Sequence, residues 1–100
     1  MTLPVLIRRA AELDLMRIED WYEGRRPGLG HEFREAVDAA IARIGENPLA
    51  YPDRYRGARR ALVRRFPYIL WYRVLADFAL VLACVHGKRD PRSTPVSAEL

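Results

Sequence analysis

The chain has 100 residues, of which 50% are hydrophobic and 30% charged, and its formal net charge is +4. This composition is typical of one globular domain, so we expect residues 1–100 to form a single unit with a frayed tail at 93–100. A single cysteine, Cys84, excludes an internal disulfide. No segment approaches the roughly 20 apolar residues of a membrane span, and the N-terminus carries charge too early for a signal peptide. We therefore expect a cytoplasmic protein without membrane contact.

The positive charge is concentrated in the second half of the chain. Residues 1–53 contain seven Arg and ten Asp or Glu, giving −3, whereas residues 54–100 contain nine Arg, one Lys and three Asp or Glu, giving +7. Arg makes forked contacts with carboxylates and phosphates. The second half is either a binding surface for an acidic partner or a solvated face, and charge alone does not separate these interpretations.

The first half of the chain predicts a short strand followed by a helical hairpin. Leu3–Arg8 is an apolar run typical of a strand beside a later sheet. From Ala10, apolar residues recur with a period near 3.6, and a second stripe runs through a helix predicted at Leu29–Glu46. The intervening Arg-Arg-Pro-Gly breaks the two helices, so they form an antiparallel pair. The predicted stripes are Ala11, Leu15, Ile18 and Tyr22, then Leu29, Phe33, Val37, Ala40, Ile41 and Ile44.

Two apolar residues of the first helix, Leu13 and Met16, lie off its stripe. They indicate either a wide contact with the core, which we favour, or a site for a partner.

The second half predicts an antiparallel sheet. A turn-rich connector at Leu49–Gly57 precedes three strands expected at Arg59–Phe66, Tyr68–Val74 and Phe78–Val85, which are rich in β-branched and aromatic residues. The last strand is apolar on both faces, as expected of a central strand. The predicted fold is therefore α+β, with the hairpin packed on one face of the sheet. We expect a buried set of Leu15, Ile18, Phe33, Val37, Ile41, Ile44, Leu70, Leu80 and Leu82.

Few residues offer site chemistry. One Cys and two His at unsuitable spacings give no zinc site, and no phosphate-binding glycine loop or cofactor motif is present. Cys84 and His86 share a strand face, so a thiol nucleophile is one interpretation, although a buried apolar Cys is favoured. What remains is a basic strand with Trp71, Tyr72 and His86 nearby. That surface suits nucleic acid or an acidic protein segment.

Four segments stand in this order along the chain: WYEGRRPGLGHEF (21–33), IGENPLAYP (44–52), RRFPYILWYRV (64–74) and LACVHGKRDP (82–91). In this order they resemble the RelE/ParE superfamily of toxins from type II toxin–antitoxin modules, and the ParE (plasmid stabilisation) branch most. The resemblance implies a toxin neutralised by a ParD-like antitoxin in a hetero-oligomer, which contacts operator DNA only through the antitoxin. It implies DNA gyrase as the target in the ParE branch and ribosome-bound mRNA in the RelE branch.

This sequence contains only part of the residue set of the RelE ribonuclease pattern. Arg60 and Arg64 match its first basic group and Arg89 its later Arg, but Ile69 follows Tyr68 and no Tyr follows Tyr72. His86 remains as a candidate base. We therefore expect a target inhibitor rather than an enzyme; a ribonuclease using His86, Arg89, Arg60 and Arg64, or a degenerate toxin that only binds its antitoxin, are the alternatives. The predicted partner-binding residues are Arg59, Arg60, Arg64, Trp71, Tyr72, Arg73, Lys88 and Arg89.

Overall fold

A computed structural model of the chain describes residues 2–88. The expectations for Arg89 and for the tail at 93–100 lie outside the described residues. The elements are β1 (Val5–Ile7), α1 (Arg9–Arg25), α2 (Leu29–Glu46), β2 (Asp53–Tyr55), β3 (Ala58–Val63), β4 (Tyr68–Val74) and β5 (Ala79–His86).

The strands form one five-stranded sheet in the order β1-β5-β4-β3-β2. β1 runs parallel to β5, and every other neighbouring pair is antiparallel. The α+β fold with an N-terminal strand beside an antiparallel meander is confirmed. β5 is a central strand, as its apolar residues predicted. The connector expected at Leu49–Gly57 contains an additional short strand, β2, which the sequence did not predict.

Both helices bury most of the stripes that their periodicity predicted, although Tyr22, Leu29 and Ile41 are only partly buried. Ala11, Leu15 and Ile18 of α1 are buried, as are Phe33, Val37, Ala40 and Ile44 of α2. They form one cluster with Leu70, Tyr72 and Val81 of the sheet. This apolar contact fixes the hairpin on one face of the sheet, because burial of apolar surface is the dominant stabilising contribution to a fold of this kind.

The turn between the helices gives a structural role to several residues of the segment 21–33. Gly28 lies at φ 90°, in the left-handed region that glycine adopts without strain. It supplies no side chain to cap α2, so the carboxylate of Glu23 accepts hydrogen bonds from the backbone N–H groups of Gly28 (2.9 Å) and Gly30 (3.0 Å). At Gly30 the helices approach closely, and a Cβ there would lie 2.7 Å from the carbonyl oxygen of Glu19. A capping carboxylate and a small residue therefore set the geometry of the hairpin.

The sheet has a second apolar cluster on the face opposite the helices. Ala58, Ile69, Trp71, Leu82, Ala83 and Val85 form it. In β4 the predicted alternation holds, since Leu70 and Tyr72 join the helix-side cluster while Ile69 and Trp71 join the other. In β5 the register with β4 shifts beside Trp71 and Tyr72, and the adjacent Leu82 and Ala83 both belong to the opposite cluster. This β-bulge reverses the alternation along β5.

Three expectations about burial need correction. Leu82 is buried, but on the face opposite the helices, so it does not contribute to the predicted helix–sheet contact. Ile41 and Leu80 are only partly buried. Leu13 and Met16 are 46% and 51% exposed, so the favoured interpretation of a wide core contact is wrong; both point away from the sheet because they lie opposite the α1 stripe.

Candidate functional site

A basic groove lies beside the hairpin of β2 and β3. Arg54, Arg60 and Leu62 line it together with Tyr51 and Pro52, around a surface cavity of about 170 Å³. We call these five residues the arginine groove. Arg60 and Leu62 alternate along β3 with the buried Ala61 and therefore share the face opposite the helices. Leu62 is 60% exposed, so the groove combines guanidinium groups with an accessible apolar side chain.

The turn of this hairpin brings Arg54 next to β3. Arg56 and Gly57 have φ values of 51° and 82°, and Tyr55 pairs with Ala58 across them. Positive φ at both central residues is the requirement of the two-residue turn that fits the twist of a β-hairpin. The carboxylate of Asp53 accepts a hydrogen bond of 3.1 Å from the N–H of Gly57. β2 is therefore held against β3, although it has only three residues.

The predicted basic residues have different roles in the structure. Arg59 donates to the carbonyl oxygen of Tyr51, and Arg73 donates to that of Arg56, so both help to fix the β2–β3 region. Arg60 lies with its guanidinium carbon 5.9 Å from the centre of the Trp71 ring. Arg64, in the turn after β3, and Lys88 are exposed. Of this set, Arg60, Arg64 and Lys88 are the groups best placed for a partner.

The two aromatic residues predicted as partner contacts are not on the surface. Trp71 is 1% exposed and Tyr72 is fully buried, on opposite faces of β4. The Tyr72 hydroxyl donates a buried hydrogen bond of 2.6 Å to the carbonyl oxygen of Pro48. Burial raises the pKa of Tyr72 to about 12. Their placement argues against a role as interface anchors, and the exposed apolar residue nearby is Leu62. Leu62 lies two residues from both Arg60 and Arg64, a spacing that predicts a shared strand face, and this spacing was the signal in the sequence that could have identified it.

Two of the residues considered for ribonuclease chemistry, His86 and Arg60, are not brought together. His86 lies on the helix side of the sheet, beside Tyr68, at a ring-centroid distance of 5.6 Å. Arg60 lies on the opposite face, over Trp71. The Nδ1 atom of His86 accepts a hydrogen bond of 3.2 Å from the N–H of Lys88. The two groups that a ribonuclease would need around one phosphate therefore lie on different faces of the sheet.

A second groove runs between α1 and the end of β5. It has a cavity of about 260 Å³ lined by Asp14, Arg17, Ile18, Tyr68, Cys84, Val85 and His86. The carboxylate of Asp14 accepts a hydrogen bond of 3.1 Å from the backbone N–H of Cys84. Burial, with a further contribution from Asp14, raises the pKa of the Cys84 thiol to about 12. A thiol nucleophile needs the thiolate form, so this environment does not favour one.

Within residues 2–88, no group of three or more His, Cys, Asp or Glu residues is arranged to hold a metal ion. No helix in the same range is long and apolar enough to cross a membrane.

Comparison with known proteins gives consistent results. Toxin ParE2 of Mycobacterium tuberculosis, in two strains, is 28% identical over 101 residues, covering 100% of this chain and 94% of the relative. A solved structure described as "Chromosomal ParDE TA system from P. aeruginosa" has a TM-score of 0.75 at 18% identity, covering 85% of this chain and 96% of that chain. The family model "ParE toxin of type II toxin-antitoxin system, parDE" matches residues 5–91. The chain therefore belongs to the ParE toxin family of type II toxin–antitoxin systems.

Proposed function

We propose that this chain is a toxin held inactive by a ParD-like antitoxin and that it stops growth by inhibiting DNA gyrase. The observation that carries the proposal is the family match over residues 5–91. The name of the mycobacterial relative, a toxin, and the description of the solved structure, a ParDE system, support it. In this proposal the toxin and antitoxin form a hetero-oligomer in the cytoplasm, and operator DNA is contacted only through the antitoxin.

The arrangement of the basic residues supports inhibition by binding rather than by RNA cleavage. Cleavage through attack by a 2′-hydroxyl needs a base, an acid and cations around one phosphate. His86 and Arg60 lie on opposite faces of the sheet, and Ile69 occupies the position where the ribonuclease pattern has an Arg. Ile69 cannot stabilise the charge of a pentacoordinate phosphate, and loss of one such group costs on the order of 10²–10³ in rate.

The arginine groove offers the contacts that an acidic protein segment needs. Arg54 and Arg60 can pair with carboxylates while Leu62 receives an apolar side chain. Arg64 extends the basic surface at the next turn. In such interfaces forked Arg–carboxylate contacts fix the register, and buried apolar anchors contribute most of the affinity. We propose that the antitoxin covers this groove and thereby excludes the target. The role of Arg89 remains a prediction from the sequence.

An induced culture and the purified protein together test the proposal. The chain is expressed alone and mRNA ends on translating ribosomes are mapped, and gyrase supercoiling is measured separately with the purified protein. We expect growth arrest and loss of supercoiling with intact mRNA. Arg60→Glu should relieve inhibition, whereas Arg9→Glu, an exposed change on α1, should not.

The alternatives give different results in the same assays. Cuts at codon positions that disappear in His86→Ala would replace the proposal with the ribonuclease. No effect on growth, combined with tight binding to the antitoxin, would identify a degenerate toxin.

A further inference from the structure

The face of the sheet opposite the helices has no negative charge from its strands. The five strands contain one carboxylate, that of Asp53. Asp53 pairs in register with Arg59, and Arg59 pairs with Tyr72 of the helix-side cluster. Because residues paired across two strands point to the same face, Asp53 also lies on the helix side. The strand arginines of the opposite face therefore have no strand carboxylate beside them.

Four arginines near this face make no hydrogen bond or ion pair within residues 2–88. They are Arg54, Arg56, Arg60 and Arg64. Arg59 and Arg73, by contrast, donate to backbone carbonyl oxygens, and Arg65 donates to Glu32. The fold does not use the four unengaged guanidinium groups, so they are available to an anion outside the chain.

Three of these arginines extend along β3. Arg60 faces away from the helices, Arg54 of the neighbouring β2 lines the same cavity of about 170 Å³, and Arg64 follows directly after the strand. An extended chain rises about 3.3 Å per residue, which puts Arg60 and Arg64 about 13 Å apart. One strand of duplex DNA carries a phosphate per about 3.4 Å of helix axis. The two guanidinium groups can therefore reach different phosphates of one DNA strand.

The aromatic residues of the sheet favour a duplex over a single strand. Proteins that bind single strands stack the bases on exposed aromatic side chains. Trp71, beneath Arg60, is 1% exposed. In the part of the chain that the structure describes, the one aromatic side chain in the exposed class is Trp21, on α1. The face thus offers contacts to phosphates without a surface for stacking, and this combination fits a double helix, whose bases already stack on one another.

We propose that the free toxin binds the phosphate backbone of duplex DNA through Arg54, Arg60 and Arg64. Phosphate contacts position a protein on DNA without reading the sequence, so this binding is non-specific. The role of the contact rests on the proposed function, because gyrase acts on duplex DNA and a toxin held on the duplex meets the enzyme there. In the complex the antitoxin covers the arginine groove and thereby releases the toxin from DNA.

The salt dependence of DNA binding tests the phosphate contacts. The probe is a fluorescein-labelled duplex of about 20 base pairs, titrated with the purified chain and followed by anisotropy. Neutralisation of three phosphates gives a slope of about −2.7 for log K against log salt concentration, so affinity should fall about 40-fold between about 50 and about 200 mM salt. Arg60→Gln and Arg64→Gln should each make the slope shallower by about 0.9.

Two control variants separate a phosphate contact from overall charge and from damage to the fold. Arg9→Gln removes one exposed positive charge from α1 and should leave the slope unchanged. Arg60→Lys keeps a charge at the same position and should retain the slope of the wild type. An equal change of slope in Arg9→Gln and Arg60→Gln would mean that net charge alone attracts DNA, and the inference would be overturned.

The remaining outcomes distinguish this inference from the proposed function. Tighter binding of a single-stranded oligonucleotide, or of a poly-glutamate peptide of equal charge, would assign the face to another class of partner and overturn the inference. A chain that inhibits supercoiling and is neutralised by the antitoxin, but does not bind the duplex, overturns this inference alone. Salt-dependent duplex binding without inhibition of supercoiling supports the assignment of the face and overturns gyrase as the target.

Discussion

The hydroxyl of Tyr72 and the carbonyl oxygen of Pro48 form a buried hydrogen bond of 2.6 Å that joins the middle of the sheet to the end of α2. Both residues are among the largest fully buried side chains of the described residues. A buried carbonyl that loses its donor cannot recover it from solvent. This contact therefore connects the helix layer to the sheet by a specific bond in addition to apolar packing.

Tyr72→Phe should destabilise the fold by about 1–3 kcal/mol, because it leaves the Pro48 carbonyl without its donor. Urea unfolding of the two proteins measures the difference. Tyr68→Phe is the matched control: Tyr68 is in the same strand, and its hydroxyl makes no hydrogen bond within residues 2–88. It should change stability by less than about 0.5 kcal/mol. Equal effects of the two substitutions would mean that the hydrogen bond contributes nothing specific.

Cys84 should be unreactive in the folded protein. Its pKa is raised from 9.0 to about 12, by burial and then by Asp14. At pH 8 this shift lowers the thiolate fraction about 10³-fold. Alkylation by iodoacetamide should be slow in buffer and fast in urea, and mass spectrometry measures both rates. Labelling of the native protein at the unfolded rate would contradict the burial and restore the thiol-nucleophile interpretation.

Two glycines only six positions apart should respond oppositely to alanine. Gly30→Ala places a Cβ 2.7 Å from the carbonyl oxygen of Glu19, so the helices must separate. By analogy with overpacked cores, we expect the free energy of unfolding to fall by about 1–3 kcal/mol. Gly24→Ala, inside α1 with no atom within 4 Å of the new Cβ, should add about 0.5–1 kcal/mol through helix propensity. Thermal unfolding of both variants checks the signs. Unchanged stability in Gly30→Ala would mean that the fold does not require the close approach of the two helices at Gly30.

Much of the fold could be predicted because its periodicities are strong. The stripe from Leu15 to Ile18 and the alternation from Ile69 to Tyr72 each mark one buried face. The orientation of Leu82 could not be predicted in this way. Every residue of its strand is apolar up to Val85, so the sequence does not say which alternating set faces the helices. Leu80 and Leu82 both lie on the opposite side, and the bulge then places Ala83 there as well. β2 was missed because its turn uses Arg56 at positive φ, where Asn or Gly is the usual signal.

The candidate site was harder to predict than the fold. Strand patterns assign a residue to a face but do not say whether that face is covered, so Trp71 and Tyr72 were expected at an interface although both are buried. The groove at β5 depends on the contact of Asp14 with Cys84, which are 70 positions apart. No local pattern encodes such a pair. Basic charge could be counted, but its division between the two faces of the sheet required the strand register.

Binding to the antitoxin should weaken only modestly with salt. Exposed Arg–carboxylate pairs are screened at physiological ionic strength, whereas the apolar contact at Leu62 is not. We expect less than about a tenfold loss of affinity between low salt and about 0.15 M, measured by calorimetry. Leu62→Ala should weaken binding at both salt concentrations. A collapse of affinity over this range would show that charge dominates the interface.

Protonation of one carboxylate at low pH should weaken the ion pair between α2 and the turn after β3. Glu32 accepts from Arg26 at 3.2 Å and from Arg65 at 3.1 Å. Arg65 lies at φ 76°, a region that side chains disfavour, so Glu32 helps to hold a strained turn. Hydrogen bonding from Arg65 is the main reason that the pKa of Glu32 is lowered from its ordinary value of 4.5.

The direction of the acid effect follows from the sign of that pKa shift. A carboxylate with a lowered pKa in the folded state stabilises the fold above its unfolded pKa, and this contribution is lost as the pH falls through the folded value. The melting temperature should therefore decline below about pH 4.5 and decline less steeply in Glu32→Gln. Glu35→Gln, which removes a carboxylate from the same helix without touching Arg65, controls for overall charge. If the melting temperature falls equally steeply with pH in the wild type and in Glu32→Gln, Glu32 is not the cause. Added salt should reduce the difference between the two proteins, because the pair of Glu32 and Arg65 is exposed.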